Sequence, residues 1–123
     1  MSQPRIVAVR GATTVDSDSA ADIFPRVQEM LTAMLSRNEI HHDDVISAFF
    51  TATPDLTSVF PAAAAREIGF GDIPLICACE IAVDGSTPKC VRVMLHVYTT
   101  KGRADIRHVY LHGAQGLRDD LPG

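Results

Sequence analysis

Several things are missing from this chain of 123 residues, and each absence narrows what it can be. No apolar run approaches the length of a bilayer-spanning helix, so a membrane span is not expected. The N-terminal residues offer neither a long apolar stretch nor a small-residue cleavage site, so a secretory signal is not expected either. Positive charge is scarce: eleven Lys and Arg stand against fifteen Asp and Glu, a net charge of −4. That balance argues against a general nucleic-acid or membrane surface, so any anion must be met locally. Lysine is scarcest, with only Lys89 and Lys101; the other basic residues are Arg, whose planar fork pairs bidentately with carboxylates. Cysteine is limited to Cys77, Cys79 and Cys90, an odd number in apolar surroundings, which predicts reduced, buried thiols in a cytoplasmic protein. His96 could complete a zinc set with them, but Cys-x-Cys is not a common zinc spacing and no metal is expected. Repeats, low-complexity tracts and linkers are absent too, and with 46% hydrophobic residues the chain reads as one globular domain, 1–123.

What is present reads as β-α-β-α-β-β-β. Arg5 to Val9 is a β-branched run, a predicted first strand that Gly11 helps to end. Ser17 to Ser19 offer helix N-caps. Ala20, Ile23, Phe24, Val27, Met30, Leu31, Met34 and Leu35 then recur at three- and four-residue steps, an apolar stripe on a helix of about five turns. Pro25 predicts a kink or a delayed start, and Asn38 a stop. Val45 to Ala52 predicts a buried strand, and Pro61 with Ala62 to Ala65 a short helix stopped by Gly69. Two more strands flank a turn-rich link from Asp84 to Pro88, and Ile106 to Leu111 predicts the last. The class is α+β: a mixed five-stranded sheet with one long and one short helix on one face. The other face needs cover, and the alternation of Cys90, Arg92, Met94, His96 and Tyr98 suggests that it meets another subunit.

Two residues between Ile73 and Tyr98 resist a generic reading. Glu80 ends one apolar run, and Arg92 sits in the middle of the next among Cys, Val, Met and Leu. A charge buried alone costs several kcal/mol, so each must be paired, hydrogen-bonded or given a ligand. They could pair with each other or face a pocket; the residues alone leave both readings open.

The segments Arg10-Gly-Ala-Thr-Thr-Val15, Ala52-Thr-Pro-Asp-Leu56 and Val59-Phe-Pro-Ala62 are followed by Arg66-Glu67, Pro74 through Cys77, and Glu80. Lys89-Cys-Val-Arg-Val-Met94, Ile106-Arg-His-Val-Tyr-Leu111 and Leu117-Arg118 come after them. In this order and spacing the chain resembles the monofunctional bacterial chorismate mutases of the AroH class, from Arg10 to Leu121. The resemblance implies a homotrimer whose sheets form a barrel-like core, with an active site in each cleft between neighbouring subunits. It implies chorismate as substrate and prephenate as product, on the route to phenylalanine and tyrosine. It implies an enzyme with no metal and no cofactor, beside the cytoplasmic setting and the lack of nucleic-acid or membrane partners that thiols and charge already suggest.

The implied roles follow the chemistry. Chorismate carries two carboxylates and must be held in a compact diaxial shape. As its C–O bond breaks, negative charge grows on the ether oxygen, where a fixed guanidinium stabilises the transition state more than the ground state. By matched position that guanidinium is Arg92. Glu80 would take the ring hydroxyl, helped by Cys77, while Arg10 and Tyr110 would hold a carboxylate. Phe60 and Ala62, with Arg66 at the rim, would come from the adjacent subunit. Leu75 and Ile76 would line the pocket, and Leu117 and Arg118 would belong to a tail over its mouth.

Each role has a plain structural rival: an ion pair for Arg92 and Glu80, a sheet-edge cap for Arg10, a core tyrosine satisfied by backbone for Tyr110, a small buried hydrophobe for Cys77. Strand alternation also puts Cys77 and Glu80 on opposite faces, so their joint role requires the strand to end or bulge between them. Ala63 and Ile76 depart from the family's pattern, and the tail after Arg118 predicts a short cover. Two other functions fit some of the same residues: a trimeric small-molecule binding module and a RidA-like imine deaminase.

Overall fold

The structure, a computed structural model, describes residues 3–117. The strands are β1 (Arg5–Thr14), β2 (Val45–Ala52), β3 (Leu75–Cys79), β4 (Cys90–Thr99) and β5 (Val109–Tyr110); the helices are α1 (Ala20–Arg37) and α2 (Pro61–Ala65). The strands form one mixed five-stranded sheet in the order β3-β2-β4-β1-β5. The central strand β4 runs antiparallel to β1 and β2, while β3 lies parallel to β2 and β5 parallel to β1. This is the expected α+β architecture.

Period-two alternation decides the two faces. Val91, Val93, Leu95 and Val97 of β4 are buried with Val7 and Val9 of β1 and Phe50 of β2. Ile23, Val27, Met30, Leu31 and Met34 of α1 close over them in the same core, joined by Ala62, Ala64 and Ala65 of α2. Each such large side chain contributes roughly 1.5–3 kcal/mol relative to leaving it in water. The opposite face has no cover among the described residues: Ile6, Phe49, Ile76 and Tyr98 are each about half exposed there (55, 50, 53 and 48%). Half-exposed apolar side chains in a contiguous sheet face mark a surface built to meet something.

Three local expectations are corrected. Gly11 does not end β1, which runs on to Thr14; a Cβ there would collide with the Met34 sulfur and press on Met30 at 3.1 Å, so the glycine lets α1 lie close against the strand. Pro25 does not delay α1, which starts at Ala20 with Ser19 capping the Asp22 amide. Residues 21 and 25 are exposed, so the carbonyl that proline leaves unbonded faces water. The last strand is only Val109–Tyr110, because β1 offers parallel register to just Gly11 and Ala12, and Arg103–Asp105 forms a 3₁₀ turn before it.

Candidate active site

Register brings the chemistry into one line. Arg92 on β4 stands opposite Ala12 on β1 and Thr51 on β2; Ala12 in turn pairs with Tyr110 on β5, and Thr51 with Ala78 on β3. The row across the open face is therefore Ala78, Thr51, Arg92, Ala12, Tyr110. In the neighbouring row, Met94 separates Phe49 from Arg10. The small Ala12 between two large side chains leaves a hollow of about 380 Å³, lined by Arg10, Ala12, Phe49, Thr51, Arg92, Met94 and Tyr110 among others.

Two features of this hollow point to a ligand. The Tyr110 hydroxyl is buried yet has no hydrogen-bond partner among the described residues. An unsatisfied buried hydroxyl costs about 1–3 kcal/mol, so a core tyrosine satisfied by backbone is not what the fold has made. Arg92 meets Glu80, with Nε 3.5 Å from Oε2 and the two side chains 44% and 27% exposed. The pair thus sits at the edge of an open hollow, not in a sealed core. Glu80 lies one residue beyond β3; its amide extends the ladder to the Ala52 carbonyl at 2.9 Å, and its Oε2 accepts a hydrogen bond from the Thr51 hydroxyl. Arg10, whose own amide donates to His108 Nδ1 at 2.9 Å, brings a second guanidinium to the same hollow.

A second hollow, of about 470 Å³, lies around the loop before α2 and the outer end of β3. Thr53, Pro54, Leu56, Val59, Phe60 and Cys77 are among its walls. Phe60, 71% exposed, sits just ahead of Pro61 at the start of α2. The loop beneath it is pinned by Asp18, whose carboxylate accepts from the Thr57 and Ser58 amides, both at 3.0 Å. Bonds from Ser58 and Thr57 hold that carboxyl below its ordinary value. Asp55 is held low as well, by the Thr53 hydroxyl first and by the Lys89 amide; the latter bond, 2.9 Å long, ties the loop to the start of β4. Behind it, burial pushes the Cys90 thiol up, with the charge of Arg92 acting against that shift.

Between Cys77 and Glu80 the strand ends, at Cys79, with no bulge before that end, and the Cys79 thiol is exposed, not buried as expected. β3 keeps regular register with β2 from Leu75 to Cys79, Cys77 pairs with the buried Phe50, and Leu75 and Cys77 pack against the core. Glu80 instead reaches Thr51 and Arg92 on the open face. Within one chain, then, Cys77 stands with Phe60 and not with Glu80. Ala62 is 3% exposed and packs into the core, Arg66 is exposed at the end of α2, and Ile76 lies beside Phe49 on the open face. Leu117 is half-buried at the last described position; Arg118 lies outside the described residues. The structure therefore gathers Arg92, Glu80, Arg10 and Tyr110 round one hollow and Phe60 and Cys77 round another. Thr51 and Asp18 escape a reading by motif, the first because a strand threonine is unremarkable, the second because its partners are 39 and 40 residues away.

Known proteins share this pattern. Residues 6–121 match the family described as chorismate mutase type I. The chain is 41% identical over 117 residues to the chorismate mutase AroH of Bacillus subtilis (strain 168), an alignment covering 94% of this chain and 92% of that one. It is 43% identical over 114 residues to the chorismate mutase AroH of Thermus thermophilus, covering 92% and 93%. Its fold superimposes on a solved chorismate mutase from Clostridium thermocellum with a TM-score of 0.88 at 49% identity, covering 90% of this chain and 99% of the other.

Proposed function

The chain belongs to the chorismate mutase type I family, and from that premise we propose how its residues divide the work of the reaction. The protein is an enzyme that isomerises chorismate to prephenate, a step toward the aromatic amino acids. Neither a pure binding module nor an imine deaminase is favoured by its relatives. The rearrangement breaks one C–O bond and forms one C–C bond within a single molecule. It needs no external proton, electron or nucleophile, and what remains for the protein is shape and charge.

Arg92 is proposed as the group that meets the ether oxygen as its bond to carbon lengthens. Preorganised charge aimed at a developing charge is worth most in a dry cleft, because it need not reorient during the reaction. Glu80 would take the ring hydroxyl, and Arg10 with Tyr110 would hold a substrate carboxylate. The observation that carries this reading is the Tyr110 hydroxyl, buried and without a hydrogen-bond partner among the described residues, in a hollow that Arg10 and Arg92 also line.

The two hollows then imply association. The cationic one holds no Phe60 and the Phe60 one no Arg92, so a complete cleft would join the first from one copy to the second from a neighbour. Phe60 and Cys77, with Leu75, would form the facing wall. Arg66, exposed at the end of α2, would stand at its rim, and Leu117 and Arg118 would cover it. Ala62 would set the height of α2 and Ile76 would flank the cleft. The half-exposed Ile6, Phe49, Ile76 and Tyr98 give the open face the apolar surface that a homotrimer would bury. The chain is proposed to act as a single domain, 1–123, in the cytoplasm; among the described residues no helix is long and apolar enough to cross a membrane.

The test is direct. The purified chain should convert chorismate to prephenate, followed by the loss of chorismate's ultraviolet absorbance. A bicyclic mimic of the transition state should bind much more tightly than chorismate. Equal affinity for the two, without turnover, would overturn the assignment.

A further inference from the structure

We propose that Thr51 is a positioning residue that keeps the Arg92–Glu80 pair from closing on itself. This rests on the reading of Arg92 and Glu80 as the working pair of the cleft. Glu80 lies just past the end of an edge strand, with ladder bonding on one side only. Thr51 lies in β2, paired on both sides, in the same cross-sheet row as Arg92. Its hydroxyl carries one hydrogen, and that hydrogen goes to Glu80 Oε2, the oxygen that also faces Arg92 Nε.

An unrestrained arginine and carboxylate close to about 2.7–2.9 Å, often through two parallel bonds. Here the closest approach stays at 3.5 Å. A fully closed fork would neutralise the guanidinium in the ground state and turn its donors toward Glu80 instead of the hollow. By anchoring Oε2 to the rigid middle of the sheet, Thr51 holds the carboxylate at the rim, leaves Oε1 for a substrate hydroxyl, and leaves the guanidinium's charge for the transition state. A valine has the same shape and no hydroxyl, so it separates this role from packing.

The test is a double-mutant cycle with two controls. Thr51→Val should lower kcat/KM about tenfold, mostly in kcat, the size of one lost charge-assisted hydrogen bond. Thr51→Ser, which keeps the hydroxyl, should stay within about twofold of the parent. In a Glu80→Ala background, Thr51→Val should cost nothing further, and melting temperatures should show all variants folded. Thr51→Val as active as the parent, beside an inactive Arg92→Ala, would overturn the proposal and leave the site standing. An equal loss in both backgrounds would also overturn it, by showing a packing role. Full activity in Arg92→Ala would instead remove the reading beneath it.

Discussion

The cationic hollow and the Phe60 hollow are built by opposite means. The first takes Arg10, Thr51, Arg92 and Tyr110 from four strands of one sheet, and ladder register fixes where each stands. The second is a loop, a helix start and an edge strand, held by a few polar ties such as Asp18 to the Thr57 and Ser58 amides. Groups that must be aimed at a reacting bond tolerate little misplacement, and a central strand supplies that rigidity. A wall that only closes a cleft tolerates more, and it can sit where another copy of the chain reaches it. On the proposed reading, the rigid half supplies the charge and the looser half supplies the fit.

Arg92→Ala breaks the comparison at its strongest point. Turnover should fall about a hundredfold or more, the size of a lost transition-state donor, with little change in melting temperature because the side chain is 44% exposed on the open face. Steady-state kinetics and thermal unfolding on one preparation check both halves of that statement.

Tyr110→Phe sharpens the comparison, because stability and activity should move in opposite directions. Removing a buried hydroxyl that has no partner among the described residues should stabilise the free protein by about 1 kcal/mol. The same change should cost about tenfold in kcat/KM if that hydroxyl holds a substrate carboxylate. A destabilised variant would mean that the hydroxyl already has a partner.

The smallest effect concerns the support of the looser half. His42 donates to the Gly69 carbonyl beyond α2, lies 3.3 Å from Asp72, and meets the Phe70 ring edge-on. That carbonyl first, and Asp43 next, raise its pKa above the ordinary 6.5, so the stability it adds is complete below 6.5 and lost as pH climbs through the raised value. Asp18 and Asp55 act in the other sense: their pKa values lie below the ordinary 3.8, and what they add is present above 3.8 and lost as pH falls through the lowered values. Melting temperature should therefore be highest in mildly acidic buffer. His42→Gln should flatten the alkaline limb only, whereas an unchanged alkaline limb would rule out this histidine as its cause.

Much of this is legible in the residues alone. Alternation from Cys90 to Tyr98 is legible because a central strand with one covered face must alternate, and the stripe on α1 is legible for the same reason at helical period. Gly11 misleads because a glycine in a strand signals either an end or a close approach, and only the helix above it distinguishes them. The pocket membership of Arg92, Arg10 and Tyr110 follows from motif resemblance, but the row that Arg92 shares with Tyr110, and Arg10's place in the next row, depend on register between strands distant in the chain, which local pattern does not carry. Cys77 and Glu80 show the limit most clearly. Alternation separates them and resemblance joins them, and within one chain the fold follows alternation: Cys77 stands on Phe60's side, and Glu80, just past the strand's end, reaches Arg92.

The measurement that bears most directly on a cleft shared between copies uses two damaged chains. Arg92→Ala removes the charge from one hollow, and Phe60→Asp sets an anion in the other at a side chain 71% exposed, where the fold should tolerate it. Each variant alone should be nearly inactive. Unfolded together and refolded as an equal mixture, they should recover about a quarter of the parent's activity, since random assembly pairs the intact half of one with the intact half of the other in that fraction of clefts. Mixed oligomers with no recovered activity would contradict the account, because both hollows would then have to work within a single chain.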